Sequence, residues 1–309
     1  MKRFKNILFV ADREDGLNTT LDRAVAVSQT NGARLTVMDV TPDSGLADYV
    51  KRTYAVDLNA QLRDQRLQAL ETLMQPYADA GLPLYTTVVT GTRFIEVVRA
   101  VQRNGHDLVM KVAERDTGLA PVLFGSTDMH LLRKCPCPVW IDRSTGAASY
   151  QRLLAAVDPF DDESGDLQRL ILDLATSLAE REDAALEVVH AWELPGESML
   201  ASGRGRIARN ELERLLEDTE TRHRRALDEL LLPYGLNTGD NNVWLLKGRP
   251  AQVISSSATQ RAADLIVMGT LGRVGIPGLF IGNTAEDVLR ETQTAVLAVK
   301  PSGFVSPVH

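Results

Sequence analysis

The sequence contains little cysteine and no long apolar run. Cys135 and Cys137 are its two cysteines, too few for a disulfide framework, so a reducing compartment is expected. No stretch approaches the roughly 20 apolar residues that a membrane-spanning helix needs. The apolar run at 7–11 is too short for the core of a signal peptide. We therefore expect a cytoplasmic protein that does not enter the membrane.

Positive charge is also scarce. The 309 residues include 34 Lys and Arg against 41 Asp and Glu, a formal net charge of −7. Nucleic-acid binding depends on clustered cations that displace counterions, so this balance argues against a nucleic-acid partner. A local site for a small anionic ligand remains compatible with it. At this length, two domains are expected.

Signals for metal binding and for nucleophilic catalysis are weak. The five histidines show no paired metal-ligand spacing, and no Gly-x-Ser-x-Gly elbow is present. Cys135-Pro136-Cys137-Pro138 with His130 would supply at most three zinc ligands at an untypical spacing. A turn leading into a strand is favoured there, so we assign no metal site and no catalytic residue.

Apolar strands and amphipathic helices alternate along the chain, and the whole series occurs twice. The first strands correspond at Ile7–Asp12 and Leu153–Asp158, and from Gly91 to Val139 the two series are related without gaps by one offset of 157 positions, the separation of Asp107 and Asp264. Other pairs at this offset are Gly91 and Gly248, Gly125 and Gly282, Thr127 and Thr284, and Arg133 and Arg290. The repeat predicts a tandem duplication of α/β domains, 1–143 and 151–301, joined by the polar linker 143–150. Each is expected to be a doubly wound, flavodoxin-like or Rossmann-like domain with a five-stranded parallel sheet in the order 3-2-1-4-5.

The segment 264–300 contains the motif with the clearest chemical meaning. A buried strand ends at Gly269, a loop carries Gly272, and a helix opens after Gly282. Bare backbone N–H groups beside a helix N-terminus favour a phosphate. The motif lacks the lysine of a P-loop, and a glycine-rich crossover without a ligand is the alternative. Asp158 ends the first strand of the same repeat, so it should flank one crevice with Gly269.

With this spacing, Glu286 in the helix and a valine-rich last strand, the chain resembles the universal stress proteins in which two such domains share one polypeptide. Members with the G-x2-G-x9-G-[ST] pattern bind ATP. The resemblance implies that adenine and ribose meet Ala156, Val157, Asp158, Val189, Met268 and Gly269, and that Gly272, Gly282, Asn283 and Thr284 hold the phosphates. Asn283 stands where the pattern has Ser or Thr, and Ala285 where a hydroxyl is frequent, so altered phosphate contacts are expected.

The first half departs from the motif. Val112 and Arg115 stand where the second half has Gly269 and Gly272, and side chains there would intrude on a ligand. We predict that this half does not bind ATP in the same mode. Lys111 is interpreted as an exposed lysine at a strand end, with contact to a different anionic ligand as the alternative. The segment 197–206 is predicted to be a solvated loop.

The function predicted from these features is that of a cytoplasmic stress-response regulator that binds ATP in its second domain with little or no turnover. Glu286 is expected to stabilise the positive helix end; Mg²⁺ held by Asp158 or Glu286 is the alternative. A slow ATPase or nucleotide hydrolase and a scaffold with vestigial sites are the competing hypotheses. Family resemblance further implies that the last strands, 138–141 and 295–299, pair within one chain as a pseudo-dimer that associates further. The signalling partner is not identified.

Overall fold

The computed structural model describes residues 4–12, 17–43, 45–54, 56–79, 81–114, 125–143, 149–160, 166–202, 205–270 and 281–309. Strands and helices alternate through these ranges, so the predicted α/β class is confirmed. The chain forms two compact units, and the last strand belongs to the first of them. No helix within the described ranges is long and apolar enough to span a bilayer.

The first unit contains the elements of the first repeat and the strand near the C-terminus. Its elements are β1 (Asn6–Val10), α1 (Leu17–Asn31), β2 (Arg34–Thr41), α2 (Gly45–Tyr54), α3 (Leu58–Asp79), β3 (Leu84–Thr90), α4 (Arg93–Asn104), β4 (Leu108–Val112), α5 (Ser126–Lys134) and β5 (Val139–Asp142), with β10 (Ala295–Val299). The region 45–79 forms two helices, and Pro76 lies inside the second. All five residues of β4 are buried, as expected for a central strand covered on both faces.

The sheet of the first unit has the order β3-β2-β1-β4-β5, and β10 lies beside β5. The first five strands are parallel, as predicted. β10 runs antiparallel to β5, with Ala298 opposite Val139 and Val296 opposite Ile141, so the sheet is mixed where these two last strands pair. Pairing of the two last strands agrees with the expectation from the family.

The second unit contains most of the second repeat. Its elements are β6 (Arg152–Ala156), α6 (Asp166–Glu182), β7 (Ala185–Trp192), α7 (Glu197–Ser202), α8 (Arg209–Leu231), a 3₁₀ turn (Leu232–Tyr234), β8 (Val243–Lys247), α9 (Pro250–Gln260), β9 (Leu265–Gly269) and α10 (Asn283–Glu291). Its strands are parallel in the order β9-β6-β7-β8. Residues 197–202 were predicted to lie in a loop and instead form α7. The domain limits 1–143 and 151–301 remain a prediction.

Repeated residues have repeated structural roles. The Asp107 carboxylate accepts hydrogen bonds from the backbone N–H groups of Lys5 (2.6 Å) and Asn6 (3.0 Å). The Asp264 carboxylate likewise accepts from the N–H groups of Gln151 (2.7 Å) and Arg152 (2.9 Å). Each aspartate therefore ties the start of one central strand to the start of its neighbour. The repeat at these positions is explained by strand alignment alone.

The paired glycines Gly91 and Gly248 also have a backbone reason. Their φ angles are 153° and 148°, in a region that L-residues with a Cβ rarely adopt. The Gly91 N–H donates to Thr41 O (3.0 Å), and the Gly248 N–H donates to Trp192 O (2.9 Å). Each glycine thus closes the end of one edge strand onto its neighbour. These positions are architectural in both units.

Candidate functional site

The carboxyl ends of three strands meet in the second unit. Ala156 at the end of β6 is opposite both Val189 of β7 and Met268 of β9. All three are buried, and the Val157 N–H continues the ladder by donating to Val189 O (3.1 Å). The register therefore brings together four of the residues that family resemblance assigns to adenine and ribose.

Asp158 lies two residues beyond β6, where the sequence places it. Its N–H donates to Oε1 of the buried Gln168 on α6 (2.9 Å), which fixes the chain as it leaves the strand. Its carboxylate Oδ1 accepts a hydrogen bond from the Phe160 N–H (3.1 Å). The residue is half-buried, so its carboxylate lies at the boundary between the sheet and the crevice.

Gly269 ends β9 beside this aspartate, and its lack of a side chain has a packing reason. A Cβ at this position would lie 3.2 Å from Cδ2 of Leu167 on α6. That is closer than an ordinary van der Waals contact, so a larger residue would require the Leu167 side chain to move by a few tenths of an ångström. The structure thus explains Gly269 by close packing of a helix on a strand, without reference to a ligand.

The N-terminus of α10 lies next to the end of β9. The Gly282 N–H donates to Thr270 O (2.6 Å), one residue beyond the strand. Gly282 is the N-cap of α10, and no described side chain caps this helix end. Asn283 and Thr284 in the first turn are exposed. The site thus offers a helix N-terminus, with its partial positive charge, at the mouth of the crevice. Gly272 lies outside the described residues.

Glu286 also belongs to the first turn of α10. Its N–H donates to Gly282 O (2.9 Å), and its carboxylate Oε1 accepts from Nη2 of Arg290 (2.6 Å). Glu286 lies in the first turn, at the positive end of the helix, and its stabilising effect there stays a prediction. Its bond to Arg290 directs the carboxylate one turn along the helix, away from the N-cap.

The corresponding place in the first unit is filled by charged side chains. Lys111, at the position of Met268, is fully buried. Its Nζ is hydrogen-bonded to the Asp128 carboxylate, donates to Val112 O (2.8 Å) and lies 3.4 Å from Oδ2 of Asp12. Burial acts to lower the pKa of Lys111, but the charges of Asp128 and Asp12 outweigh it and raise that pKa. The prediction of an exposed lysine is wrong because two aspartates compensate the buried charge.

Two carboxylates of the chain itself cover the N-terminus of α5. Oε2 of Glu114 accepts from the Thr127 N–H (3.1 Å). Oδ2 of Asp128 accepts from the N–H groups of Glu114 (2.8 Å) and Gly125 (3.3 Å). A Cβ at Gly125 would collide with the Glu114 side chain, so this glycine serves the internal carboxylate. The first unit has an acidic group where a phosphate would bind.

Arg93 completes the charged cluster. Its Nε lies 3.7 Å from Asp12, and its Nη1 lies 3.9 Å from Glu114. At the 157-residue offset, Lys111, Glu114 and Asp128 correspond to Met268, Leu271 and Ala285. The second repeat therefore lacks the internal ions at these positions. Comparison of the two repeats at the 157-residue offset is enough to show that these charged residues differ. The contacts between them become evident only in the fold.

Sequence comparison agrees with the duplicated architecture. Residues 3–143 and 149–300 each match the universal stress protein family. The chain belongs to this family. It is 30% identical over 322 residues to universal stress protein E of Escherichia coli K12, covering 100% of this chain and 98% of that protein. A universal stress protein E homologue from Haemophilus influenzae is 25% identical, covering 97% of this chain and 98% of the relative.

Solved structures related to this universal stress protein show the same fold. A Pseudomonas aeruginosa PAO1 protein of unknown function is 24% identical and has a TM-score of 0.76, covering 98% of this chain and 95% of that one. A universal stress protein from Archaeoglobus fulgidus is 17% identical with a TM-score of 0.67, covering 96% and 98%. At these identities, the likeness concerns architecture.

In this universal stress protein, a histidine pair behind Asp158 was missed by sequence reasoning. Nδ1 of the buried His190 is 3.0 Å from Val157 O, and its Nε2 is 2.8 Å from Nδ1 of His223 on α8. A carbonyl only accepts, so Nδ1 of His190 carries the proton. The Phe160 ring packs edge-on against His223 at 4.7 Å. The pair therefore contacts both ends of the segment 157–160. Because 33 positions separate the two histidines, their spacing in the sequence did not indicate a pair.

Proposed function

We propose that this chain binds ATP in the crevice of its second unit, as a cytoplasmic regulator of the stress response. The observation that carries the proposal is the N-terminus of α10. It lies beside the end of β9. Glu114 and Asp128, which place carboxylates at α5 in the first unit, correspond to Leu271 and Ala285 in the second repeat. A free anion is the group that best complements such a helix end.

The donor set of the second unit fits a nucleotide. The Asp158 carboxylate suits the hydroxyl groups of ribose or the amino group of adenine, both hydrogen-bond donors. The first turn of α10 suits phosphate oxygens, and Asn283 contributes an amide in place of a hydroxyl. The full proposed set is Ala156, Val157, Asp158, Val189, Met268 and Gly269 for the nucleoside, and Gly272, Gly282, Asn283 and Thr284 for the phosphates. Because packing explains Gly269, the phosphate assignment depends on the helix end.

Little or no turnover is part of the proposal. The Asp158 carboxylate already accepts from the Phe160 N–H, and the Glu286 carboxylate from Arg290. These contacts orient each carboxylate within its own segment, and the proposal assigns neither of them as a general base for water. Mg²⁺ would accompany ATP chiefly through phosphate oxygens and water, as this ion commonly does, without a dedicated protein cage.

A charge-only substitution tests the proposal. Asn283→Asp keeps the shape of an exposed side chain, and an acidic residue in the first turn stabilises a helix. The added charge would nevertheless repel a phosphate and weaken ATP binding about tenfold, from a Coulomb energy of roughly 1–3 kcal/mol at short range. Asn283→Ser is the matched control and should retain ATP. Calorimetric titration of the purified chain measures both affinities.

The same titrations distinguish the competing functions. Equal affinities for ATP in the wild type, Asn283→Asp and Gly282→Val would contradict binding at α10. Absence of any heat and of any thermal shift with ATP would favour the scaffold. Phosphate release by the wild type that is abolished in Asp158→Ala would favour an ATPase and overturn the proposal of little turnover.

A further inference from the structure

Two free thiols meet in the first unit, in the turn between α5 and β5. Cys135 is the C-cap residue of α5, and Cys137 lies one residue before Pro138. Their Sγ atoms are 3.6 Å apart, with Cys135 fully buried and Cys137 9% exposed. The proposed nucleotide site does not use this pair, which lies in the other unit.

The local chain geometry suits a bond between these sulfur atoms. The chain bends at Pro136 and Cys137, so the two Cα atoms are closer than the roughly 7 Å that two extended residues span. A disulfide accepts Cα separations of about 4.4–6.8 Å and has an S–S bond of about 2.0 Å. The sulfurs already touch, so modest side-chain rotation closes the remaining gap.

A buried lysine lies beside the thiols. The Lys300 ammonium, just beyond β10, donates to Leu132 O (2.7 Å) and Arg133 O (3.4 Å) in the last turn of α5, and only 5% of the residue is exposed. The ammonium thus complements the negative end of the helix, which is also where the chain enters the thiol turn. When protonated, it places a positive charge in the surroundings of both sulfurs.

The two thiols are not equivalent. Burial acts to raise the pKa of Cys135, but hydrogen bonds from the thiol and backbone of Cys137, together with the Lys300 charge, bring that pKa below its ordinary value. The same contact with Cys135, together with burial, raises the pKa of Cys137. Cys135 is therefore the more acidic thiol of the pair. A thiolate touching a thiol is the arrangement of a nucleophile with its resolving partner.

We propose that Cys135 and Cys137 are a reversible dithiol–disulfide site that reacts with hydroperoxides. The Cys135 thiolate attacks the peroxide O–O bond, which breaks and leaves a sulfenic acid at Cys135 and hydroxide, protonated to water. The Cys137 sulfur then attacks the sulfenic sulfur, the S–S bond forms, and the hydroxyl leaves as a second water with the Cys137 proton. The two sulfurs lose two electrons, and one hydrogen peroxide is reduced to two waters. A low-molecular-weight thiol reverses the reaction.

Mass spectrometry of the intact chain tests this. The reduced full-length protein is treated with hydrogen peroxide under native conditions, then unfolded and alkylated. We expect a mass loss of about 2 Da, no alkylation, and full recovery of two alkylation sites after dithiothreitol. A peptide map should show the link inside one fragment. Two alkylated cysteines after peroxide, disulfides between chains, or sulfonic acid as the main product would each overturn the proposal.

Matched variants separate a reactive pair from accidental proximity. Cys137→Ser should stop at a Cys135 sulfenic acid, which dimedone traps, whereas Cys135→Ser should react far more slowly and give little adduct. Lys300→Met keeps the length of the side chain without its charge, so oxidation should slow and its pH profile should move to higher pH. Unchanged rates in Cys135→Ser would contradict Cys135 as the attacking group. None of these variants alters α10, so their results are independent of ATP binding.

Discussion

Replacement of the buried Lys111 by methionine should strongly destabilise the first unit. The ammonium is fully buried between Asp128 and Asp12, and its removal leaves both carboxylates without their main counter-charge. Breaking a buried ion pair in this way costs about 3–5 kcal/mol. Methionine occupies the same place in the second repeat, at Met268, so the loss arises from charge and not from side-chain volume.

The double variant Lys111→Met with Asp128→Ala copies the second repeat at both positions and should recover much of this loss. It removes the Asp128 anion together with the cation, and the remaining Asp12 keeps Arg93 at 3.7 Å as its counter-charge. What stays lost is the capping of α5, where Asp128 accepts from the N–H groups of Glu114 and Gly125, worth about 1–2 kcal/mol. The double variant should therefore be about 3 kcal/mol or more better than the sum of the single losses.

Urea unfolding followed by tryptophan fluorescence measures this cycle. Trp140 in β5 is fully buried in the first unit, so it reports on that unit once Trp192 and Trp244 are replaced by phenylalanine. The four proteins of the cycle share that background, and equal m-values would show that the same surface unfolds in each. Additive losses, with the double variant as unstable as the sum, would refute the buried ion pair as the reason for a lysine at this position.

Three further outcomes follow from single contacts. Gly269→Ala should destabilise the second unit by about 1–2 kcal/mol because its Cβ would lie 3.2 Å from Leu167, and adding Leu167→Ala should relieve that strain in chemical unfolding. Burial lowers the pKa of Lys300 to about 8 from 10.5, so the unfolded state binds more protons between these values, and stability should rise with pH across that window by up to about 3 kcal/mol. Lys300→Met should abolish this rise in unfolding measured from pH 7 to 10.5. His190→Leu should cost about 1–3 kcal/mol, seen in thermal unfolding, because it leaves the buried Val157 carbonyl without its donor.

The features that sequence predicted correctly depend on local periodicity and on the repeat. Buried parallel strands appear as continuous apolar runs, and the 157-residue offset fixes where the elements from α4 to β5 recur. Asp107 and Asp264 are equivalent positions of the repeat, each just before a strand. Both carboxylates align neighbouring strands by accepting backbone hydrogen bonds. Local signals of this kind suffice for fold class because they specify each strand and helix independently of its distant neighbours.

The features that were missed depend on contacts far apart in the chain. Lys111 is buried because Asp128 lies 17 residues later and Asp12 lies two residues beyond the neighbouring strand β1. His190 meets His223 only because α8 packs on β7. The direction of β10 depends on pairing with a strand more than 150 residues earlier. Residue type gives no information about partners at such separations. The burial of Lys111, the contact between the two histidines and the direction of β10 therefore became evident only in the fold.

The two repeats differ in the charged side chains around the N-termini of α5 and α10. Each has a helix N-terminus at the mouth of its crevice, and such an end favours negative charge. In the first unit Asp12, Glu114 and Asp128 outnumber Lys111 and Arg93, so the cluster is already negative by one charge. A phosphate at the N-terminus of α5 would compete with Glu114 and Asp128 for the backbone N–H groups of Thr127 and Gly125. Repulsion from each close carboxylate would cost roughly 1–3 kcal/mol. In the second unit the positions of Lys111, Glu114 and Asp128 are Met268, Leu271 and Ala285. The carboxylates of Glu114 and Asp128 thus have no counterpart at Leu271 and Ala285, so an anion bound at α10, as proposed, would not face this internal competitor.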